Sequence, residues 1–281
     1  MKKFLWALAL AGTLGSAAHA LPNAPDVIPT KNGAIRITPI YHGSLQIEYR
    51  GKVIHVDPFS AGDYSGAKKA DFMLITHSHP DHFDVKAMKR VRKSGLAIAS
   101  VVAPPIIVTQ IRNAGFTVTP LGGGIPKIAP SGEDISVMNF VFGTVGTKSQ
   151  FLIKVQALPS YNLVRGPKPG AKFHPKGEFN GYILTLGGKR IYIAGDTEAT
   201  PEMKALKNID IAFLPMNLPY TMTPQEAAAG ARAFKPKVVY PYHYRFPFTK
   251  ANDNPQQFAK ALAGSGIQVR LRGWYDHPAA K

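Results

Sequence analysis

Two stretches of this chain carry the same punctuation. Gly51-Lys52-Val53-Ile54-His55-Val56-Asp57 reads as a short strand ending in aspartate, and Gly188-Lys189 through Asp196 reads the same way. Fourteen residues beyond Asp57 stands Asp71, leading into the apolar run Phe72-Met73-Leu74-Ile75, and fourteen beyond Asp196 stands Asp210, leading into Ile211-Ala212-Phe213-Leu214. Short apolar runs of this kind read as buried strands. A helical pattern follows each. The first runs from Asp84 to Lys93 with Val85, Met88 and Val91 on one stripe. The second opens on Thr223-Pro224-Gln225-Glu226, a capping box with proline at the first helical position. Strands are expected next, at Ala97–Val102 and Val238–Tyr242. Two strand-strand-helix-strand halves facing each other predict an α+β sandwich.

The run ending at Ile75 opens into Thr76-His77-Ser78-His79-Pro80-Asp81-His82. A scattered histidine is more often a surface or satisfied core residue. Imidazoles crowded this closely gain nothing unless a cation joins them, and this donor set suits zinc or a similar first-row metal. In an extended segment His77 and His79 point to the same side. Pro80 bends the path, so Asp81 and His82 can face a second point nearby. One loop can then feed two adjacent metal positions, an arrangement that activates water for hydrolysis. The second half adds Asp196, presented by a glycine turn, and His243 at the end of Val238–Tyr242. Alone, Asp196 would read as a turn aspartate bonding its own backbone and His243 as a buried histidine; the first cluster shifts both toward ligation.

Thr76-His77-Ser78-His79-Pro80-Asp81-His82, then Ala194-Gly195-Asp196-Thr197, then Tyr242-His243, in this order, resemble the metallo-β-lactamase fold superfamily. The resemblance is closest to its bacterial metal-dependent hydrolases related to lactonases and to phospholipase-D-like N-acyl-phosphatidylethanolamine hydrolases. It extends from about Ile35 to His243. It implies a four-layer αββα sandwich with the site at one edge. It also implies His77 and His79 on one metal, Asp81, His82 and His243 on the other, and Asp196 bridging. The superfamily usually supplies a third histidine to the first metal from mid-chain. Here that stretch reads Ala157-Leu158-Pro159-Ser160-Tyr161-Asn162, and the nearest histidine is His174. Three alternatives stay open: Asn162 ligates through its amide oxygen, His174 substitutes, or the first site is more open. Asparagine oxygen suits harder cations than zinc. The expectation is one or two divalent ions, zinc first and manganese as the alternative.

The first twenty residues combine Lys2 and Lys3, an apolar stretch from Phe4 to Leu14, and Ala18-His19-Ala20. This is the pattern of a secretory signal peptide cleaved after Ala20, and the apolar stretch is too short to span a membrane. The chain is therefore expected to divide into a leader at 1–20 and one metallo-hydrolase domain at 21–281, exported to the periplasm or beyond, with no transmembrane segment. There is no cysteine, so no disulfide. Nothing in the sequence fixes the oligomeric state.

The formal charge is +17. The stretch Pro159 to Gly181 holds Arg165, Lys168, Lys172 and Lys176 against Glu178 alone and is rich in proline and glycine. It is too long for a simple connection and reads as a functional loop. The resemblance places it beside the metals, where basic residues suggest steering of an anion. Nucleic acid is the weaker reading, because the loop has few stacking aromatics. Further strands are expected at Ile35–Ile40, Leu45–Tyr49, Phe116–Leu121, Ile135–Phe142, Gln150–Ala157 and Ile267–Arg272, with a last helix from Asn254-Pro255 to about Ala263. Gly122-Gly123-Gly124 lacks the lysine and hydroxyl residue of a phosphate loop. His42 and His55 read as structural or supporting residues.

Together these features predict an exported hydrolase using a metal-activated water at a dinuclear site. Asp81 or Asp196 would orient the water, and His174 or Tyr220 could donate a proton. The first substrate class is a small or lipid-like anionic ester such as a phosphodiester, followed by a lactone or other carboxylic ester. A β-lactam ranks lower, since fold does not fix chemistry. The non-catalytic alternative is a metal- or anion-binding module on the same fold.

Overall fold

The computed structural model describes residues 24–93, 100–122, 137–143, 146–245, 254–276 and 278. The leader expected at 1–20 lies outside the described residues, as do the starts of the strands expected from Ala97 and Ile135.

The first half forms one seven-stranded sheet in chain order: β1 (Asp26–Thr30), β2 (Gly33–Tyr41), β3 (Ser44–Tyr49), β4 (Lys52–Val56), β5 (Phe72–Leu74), β6 (Ser100–Ala103) and β7 (Val118–Pro120). The second forms another: β8 (Val137–Phe142), β9 (Phe151–Ser160), β10 (Phe179–Leu186), β11 (Lys189–Ile193), β12 (Ile211–Pro215), β13 (Val238–Tyr242) and β14 (Gln268–Val269). In each sheet the first four strands pair antiparallel and the rest parallel.

Helices fill the parallel crossovers: α1 (Val85–Val91) and α2 (Val108–Asn113) in the first half, α3 (Pro201–Lys204), α4 (Pro224–Phe234) and α5 (Pro255–Ala261) in the second. Asp84 caps α1 by accepting from the Ala87 N–H. The capping box read from Thr223 and Glu226 is present at α4. Every residue of β5 and of β12 is buried, which requires cover on both faces. One face meets the other sheet: Phe72 stacks on Phe140 at 4.7 Å, and the Tyr182 hydroxyl donates to the Ile75 carbonyl. On the other face of the second sheet, Phe234 of α4 packs edge-on against Tyr192 of β11. The α+β sandwich of two sheets is the fold read from the sequence.

The repeat extends to single bonds. Asp71 Oδ2 accepts from the Val53 N–H at 2.9 Å, and Asp210 Oδ2 accepts from the Arg190 N–H at 2.9 Å. Lys52 and Lys93 lie 3.4 and 3.0 Å from Asp71; Lys189 and Lys237 lie 3.8 and 2.8 Å from Asp210. Each aspartate ties the start of one strand to the start of the next and holds the end of the crossover helix through a lysine.

Several elements differ from expectation. β1, β10, α2 and α3 were not read from the sequence; β10 follows directly on the polar loop and α2 follows Pro104-Pro105. The strand expected over Ile267–Arg272 shrinks to Gln268–Val269, since beyond it Arg270 and Arg272 turn to Asp26.

Candidate metal centre

The ligand-type residues collect at the carboxyl ends of strands. His77, His79, Asp81 and His82 follow β5, Asp196 follows β11, and His243 follows β13. His42 lies in the turn between β2 and β3, and His174 in the connection from β9 to β10. Two local features make the approach possible. A Cβ on Gly43 would come within 2.9 Å of the His82 ring, so only glycine fits between them. Gly195 has φ +64° and backs onto the Asn180 carbonyl, a conformation that glycine adopts freely and that turns Asp196 inward. His42, Asp57 and His243 are themselves held at φ of 55°, 42° and 49°, strain of the kind that gathers at functional sites.

The donors fall into two groups joined by one carboxylate. Ligand-type atoms of His77, His79 and His174 lie within 4.8 Å of one another, as do those of His42, Asp81, His82 and His243. Asp196 faces both: Oδ2 is 3.4 Å from His174 Nε2 and 3.9 Å from His77 Nε2, while Oδ1 is 3.3 Å from His243 Nε2 and 3.5 Å from His82 Nε2. Asp81 Oδ2 sits 3.4 Å from His243 Nε2 and 3.6 Å from His82 Nε2. Two ligands of one tetrahedral zinc lie roughly 3.3 Å apart, so this spacing suits a shared cation. Buried and without a hydrogen-bond partner are His77 Nε2, His82 Nε2, His174 Nε2, His243 Nε2 and Asp196 Oδ1. Buried polar atoms are rarely left so, and five that converge are a cluster able to bind metal. The residues fit the group.

The surrounding bonds set which nitrogen is offered. Asp57 accepts from the Thr76 N–H at 2.8 Å, the Thr76 hydroxyl at 2.6 Å and His82 Nδ1 at 2.8 Å. The Thr76 hydrogen is thereby used, so its oxygen accepts from His77 Nδ1 at 2.9 Å. Both rings then carry their proton on Nδ1 and turn a bare Nε2 inward, as supporting carboxylates do in metal sites. Tyr275 Oη accepts the N–H groups of Tyr244 and Arg245, which leaves its hydrogen for His42 Nδ1 at 2.8 Å. His42 Nε2–H therefore donates to Asp81 Oδ2 at 3.0 Å. His42 orients Asp81; it is not a free donor. His55 bonds the Lys68 carbonyl away from the site.

The third-ligand question resolves in geometry. Asn162 Oδ1 accepts from the His174 N–H at 2.8 Å and from His174 Nδ1 at 2.7 Å, and Asn162 Nδ2 donates to Tyr220 O at 2.8 Å and Glu198 Oε1 at 3.1 Å. All the amide's hydrogen-bonding capacity is used, so the expectation of Asn162 as a ligand is corrected. It is the residue that turns His174 Nε2 toward Asp196. His174 stands with His77 and His79, their ligand-type atoms within 4.8 Å of one another.

The charges oppose one another in this small volume. Burial alone would raise Asp81 and Asp196, yet the neighbouring imidazoles hold both well below the usual carboxylate range. Burial and His82 push His77 well down; burial and His243 push His42 down to about 3. Burial would lower His82 too, but Asp196, Asp81 and Asp57 outweigh it and raise it to about 10. A proton on His82 thus occupies the place a cation would take.

A cleft of 300 Å³ opens over the centre, lined by His79, Pro80, Asp81, Phe173, His174, Asp196, Asn217, Tyr220 and His243. No Lys or Arg among the described residues lines it. Two of the basic loop's four cationic residues are paired with acids that do not line the cleft: Arg165 makes two bonds to Glu226, at 2.9 and 2.7 Å, and lies 3.5 Å from Glu198, while Lys176 pairs with Glu202 at 3.0 Å. These acids come from distant sequence, which is why the loop looked unbalanced.

A two-sheet α+β sandwich with a histidine- and aspartate-built centre at its strand ends defines a metal-dependent hydrolase scaffold. The chain belongs to the beta-lactamase superfamily, whose domain model matches residues 36–243. It is 31% identical over 242 residues to a UPF0173 metal-dependent hydrolase of Anoxybacillus flavithermus, covering 82% of this chain and 96% of the relative. The like-named protein of Geobacillus thermodenitrificans is 33% identical over 233 residues, with 79% and 91% covered. Among solved structures, one assigned as a metal-dependent hydrolase from Parabacteroides distasonis is 41% identical, with a TM-score of 0.68, covering 88% of this chain and 97% of that one. A metallo hydrolase of Ignicoccus hospitalis shares the fold at 23% identity, a TM-score of 0.60, and 84% and 94% covered.

Proposed function

We propose that this metal-dependent hydrolase holds two divalent cations, zinc first and manganese second, and cleaves an uncharged carboxylic ester or lactone. His77, His79 and His174 would hold one ion, Asp81, His82 and His243 the other, with Asp196 shared. The imidazole-rich set, with Asn162 removed from it, favours zinc. Bound cations of this kind supply Lewis acidity, which polarises an electrophile and acidifies water. The protein's own part is to fix the donors through Asp57, Thr76, Asn162 and His42, and to seat the substrate between Pro80, Phe173 and Tyr220, the last two in edge contact at 5.0 Å.

The observation that carries the ester reading is the cleft lining, which offers aromatic walls and one amide but no guanidinium or ammonium group among its described residues. A phosphodiester is the second reading, supported by the formal charge of +17 through long-range steering. Zinc-reconstituted protein assayed on 4-nitrophenyl butyrate, γ-butyrolactone and bis(4-nitrophenyl) phosphate separates the two. Faster turnover of the phosphodiester would overturn the ester reading, and no turnover of any substrate at full metal occupancy would favour the binding module. We further propose that the mature protein is exported, on the strength of the basic, apolar and small-residue order of the first twenty positions.

A further inference from the structure

Among the described residues of the cleft lining, Asn217 carries an amide with neither polar atom bonded. It is 1% exposed, and neither Nδ2 nor Oδ1 has a hydrogen-bond partner. Its backbone is the opposite. The Asn217 N–H donates to Thr221 Oγ1 at 2.7 Å, and its carbonyl accepts from the N–H groups of Tyr220 at 2.9 Å and Thr221 at 2.8 Å. The chain is thus pinned on both sides of an amide that bonds to nothing. A buried donor and acceptor left open together destabilise a fold, and the aliphatic side chain of a leucine would fill similar space without that penalty. Unlike the open imidazole and carboxylate atoms of His77, His82, His174, His243 and Asp196, a neutral amide is a poor ligand for a zinc-type cation.

We propose that Asn217 is a specificity-determining residue that receives the substrate, donating from Nδ2 to an acceptor and accepting at Oδ1 from an N–H or O–H. The substrate class this selects is a carbonyl compound carrying an amide or hydroxyl group beside the reacting carbonyl. A plain hydrocarbon acyl chain leaves both amide atoms unpaired in the closed complex, and sites built to bond a polar group reject analogues that lack it far more strongly than they reject a missing methylene. The inference rests on the ester reading for its chemistry but not for its recognition.

The test uses the full-length, zinc-loaded protein and two probes of similar length, N-acetylglycine and butyrate, which differ by an amide. Calorimetric titration should show N-acetylglycine binding at least about tenfold tighter to the native protein, and the ratio should collapse to within about twofold in Asn217→Ala and Asn217→Leu. The melting temperature of both variants should equal or exceed that of the native chain, because an unpaired buried amide has been removed. Equal affinities in the native protein, an unchanged ratio in the variants, or a lower melting temperature in both would overturn the proposal and make Asn217 a structural residue. Turnover of the matching 4-nitrophenyl esters is measured in parallel. A collapsed binding ratio without any ester turnover would leave Asn217 as the recognition residue and sink the ester reading alone.

Discussion

The two halves share a scaffold down to the hydrogen bond, yet they contribute different chemistry. The loop after β5 delivers His77, His79, Asp81 and His82, whereas its counterpart after β12 delivers Asn217 and Tyr220 to the cleft wall. The aspartates that follow β4 and β11 part in the same way. Asp57 is fully buried behind Thr76 and His82, while Asp196 reaches between the two donor groups. The fold therefore fixes where loops converge, and each loop's residues decide whether it binds a cation or a substrate. The first half supplies four of the ligand-type residues from one loop; the second supplies Asp196, His174 and His243 from three places and adds Asn217 and Tyr220 to the cleft wall.

The largest effect should come from breaking this asymmetry at the aspartates. Asp196→Ala removes a carboxylate that faces both donor groups, so elemental analysis after zinc reconstitution should fall to about one equivalent or less. Turnover of a chromogenic ester should fall at least about a thousandfold. Asp57→Ala removes a supporting bond only, and zinc affinity should weaken by about ten- to a hundred-fold with stoichiometry kept. Equal loss of zinc stoichiometry in both variants would show that the two aspartates are not divided as their geometry indicates.

Next in size is the pair His174 and Asn162, proposed to stand in for the mid-chain histidine. His174→Ala should lose one equivalent of zinc. Asn162→Ala should keep the metal but bind it about ten- to a hundred-fold more weakly, because His174 is no longer held in one tautomer and orientation. If His174→Ala instead retains full zinc and loses only turnover, His174 is a proton donor and the first group is closed by something else.

What was legible in advance was whatever the chain keeps local. The cluster from His77 to His82 lies in one loop, and the spacing from Asp57 to Asp71 repeats from Asp196 to Asp210, so motif, sandwich and repeat could all be read. Asp196 and His243 followed from order. The role of Asn162 could not be read, because its partners Glu198, Tyr220 and His174 meet it only through the folding of a long polar loop. The same holds for Tyr275, which reaches His42 across 233 positions. The pairing of Arg165 and Lys176 was hidden for a related reason: they face Glu226, Glu198 and Glu202, acids that no local window contains. Asp57 carried a local hint, a strand-end aspartate, but its burial beneath the first ligand loop is a tertiary fact.

A pH experiment sharpens the division of charge. His82 is raised to about 10 by Asp196, Asp81 and Asp57 against the effect of burial. Its folded-state pKa lies above the unfolded value, so its contribution to the metal-free fold is complete below about pH 6.5 and is lost as pH rises toward 10. Zinc must displace that proton. Affinity should therefore rise about tenfold per pH unit between roughly 7 and 10 and then level off, with about one proton released per chain in calorimetry across buffers of different ionisation enthalpy. The slope should be shallower in Asp57→Ala. No proton release at pH 8 would mean that His82 is already neutral and that the carboxylates do not dominate its surroundings.

The smallest effect tests the sameness of the halves rather than their difference. Asp71→Ala and Asp210→Ala each remove one carboxylate that accepts a strand N–H at 2.9 Å and pairs with two lysines. The lysines are partly or largely exposed, so their ion pairs add little. The bond to the strand N–H supplies most of the loss, about 1–3 kcal/mol in each case. For a chain of this length that is a drop of roughly 2–12 °C in melting temperature, matched between the two variants. For both carboxylates burial would raise the pKa, but the lysines and the strand N–H together hold it down. Their contribution is therefore present above about pH 4 and is lost as pH falls through the lowered value, so the gap between variant and native melting temperatures should close in acid. Because neither aspartate touches the donor groups, zinc stoichiometry should remain that of the native protein. A large effect at one position and none at the other would mean that the repeat is one of geometry alone, and that the two sheets differ in how their strands are tied.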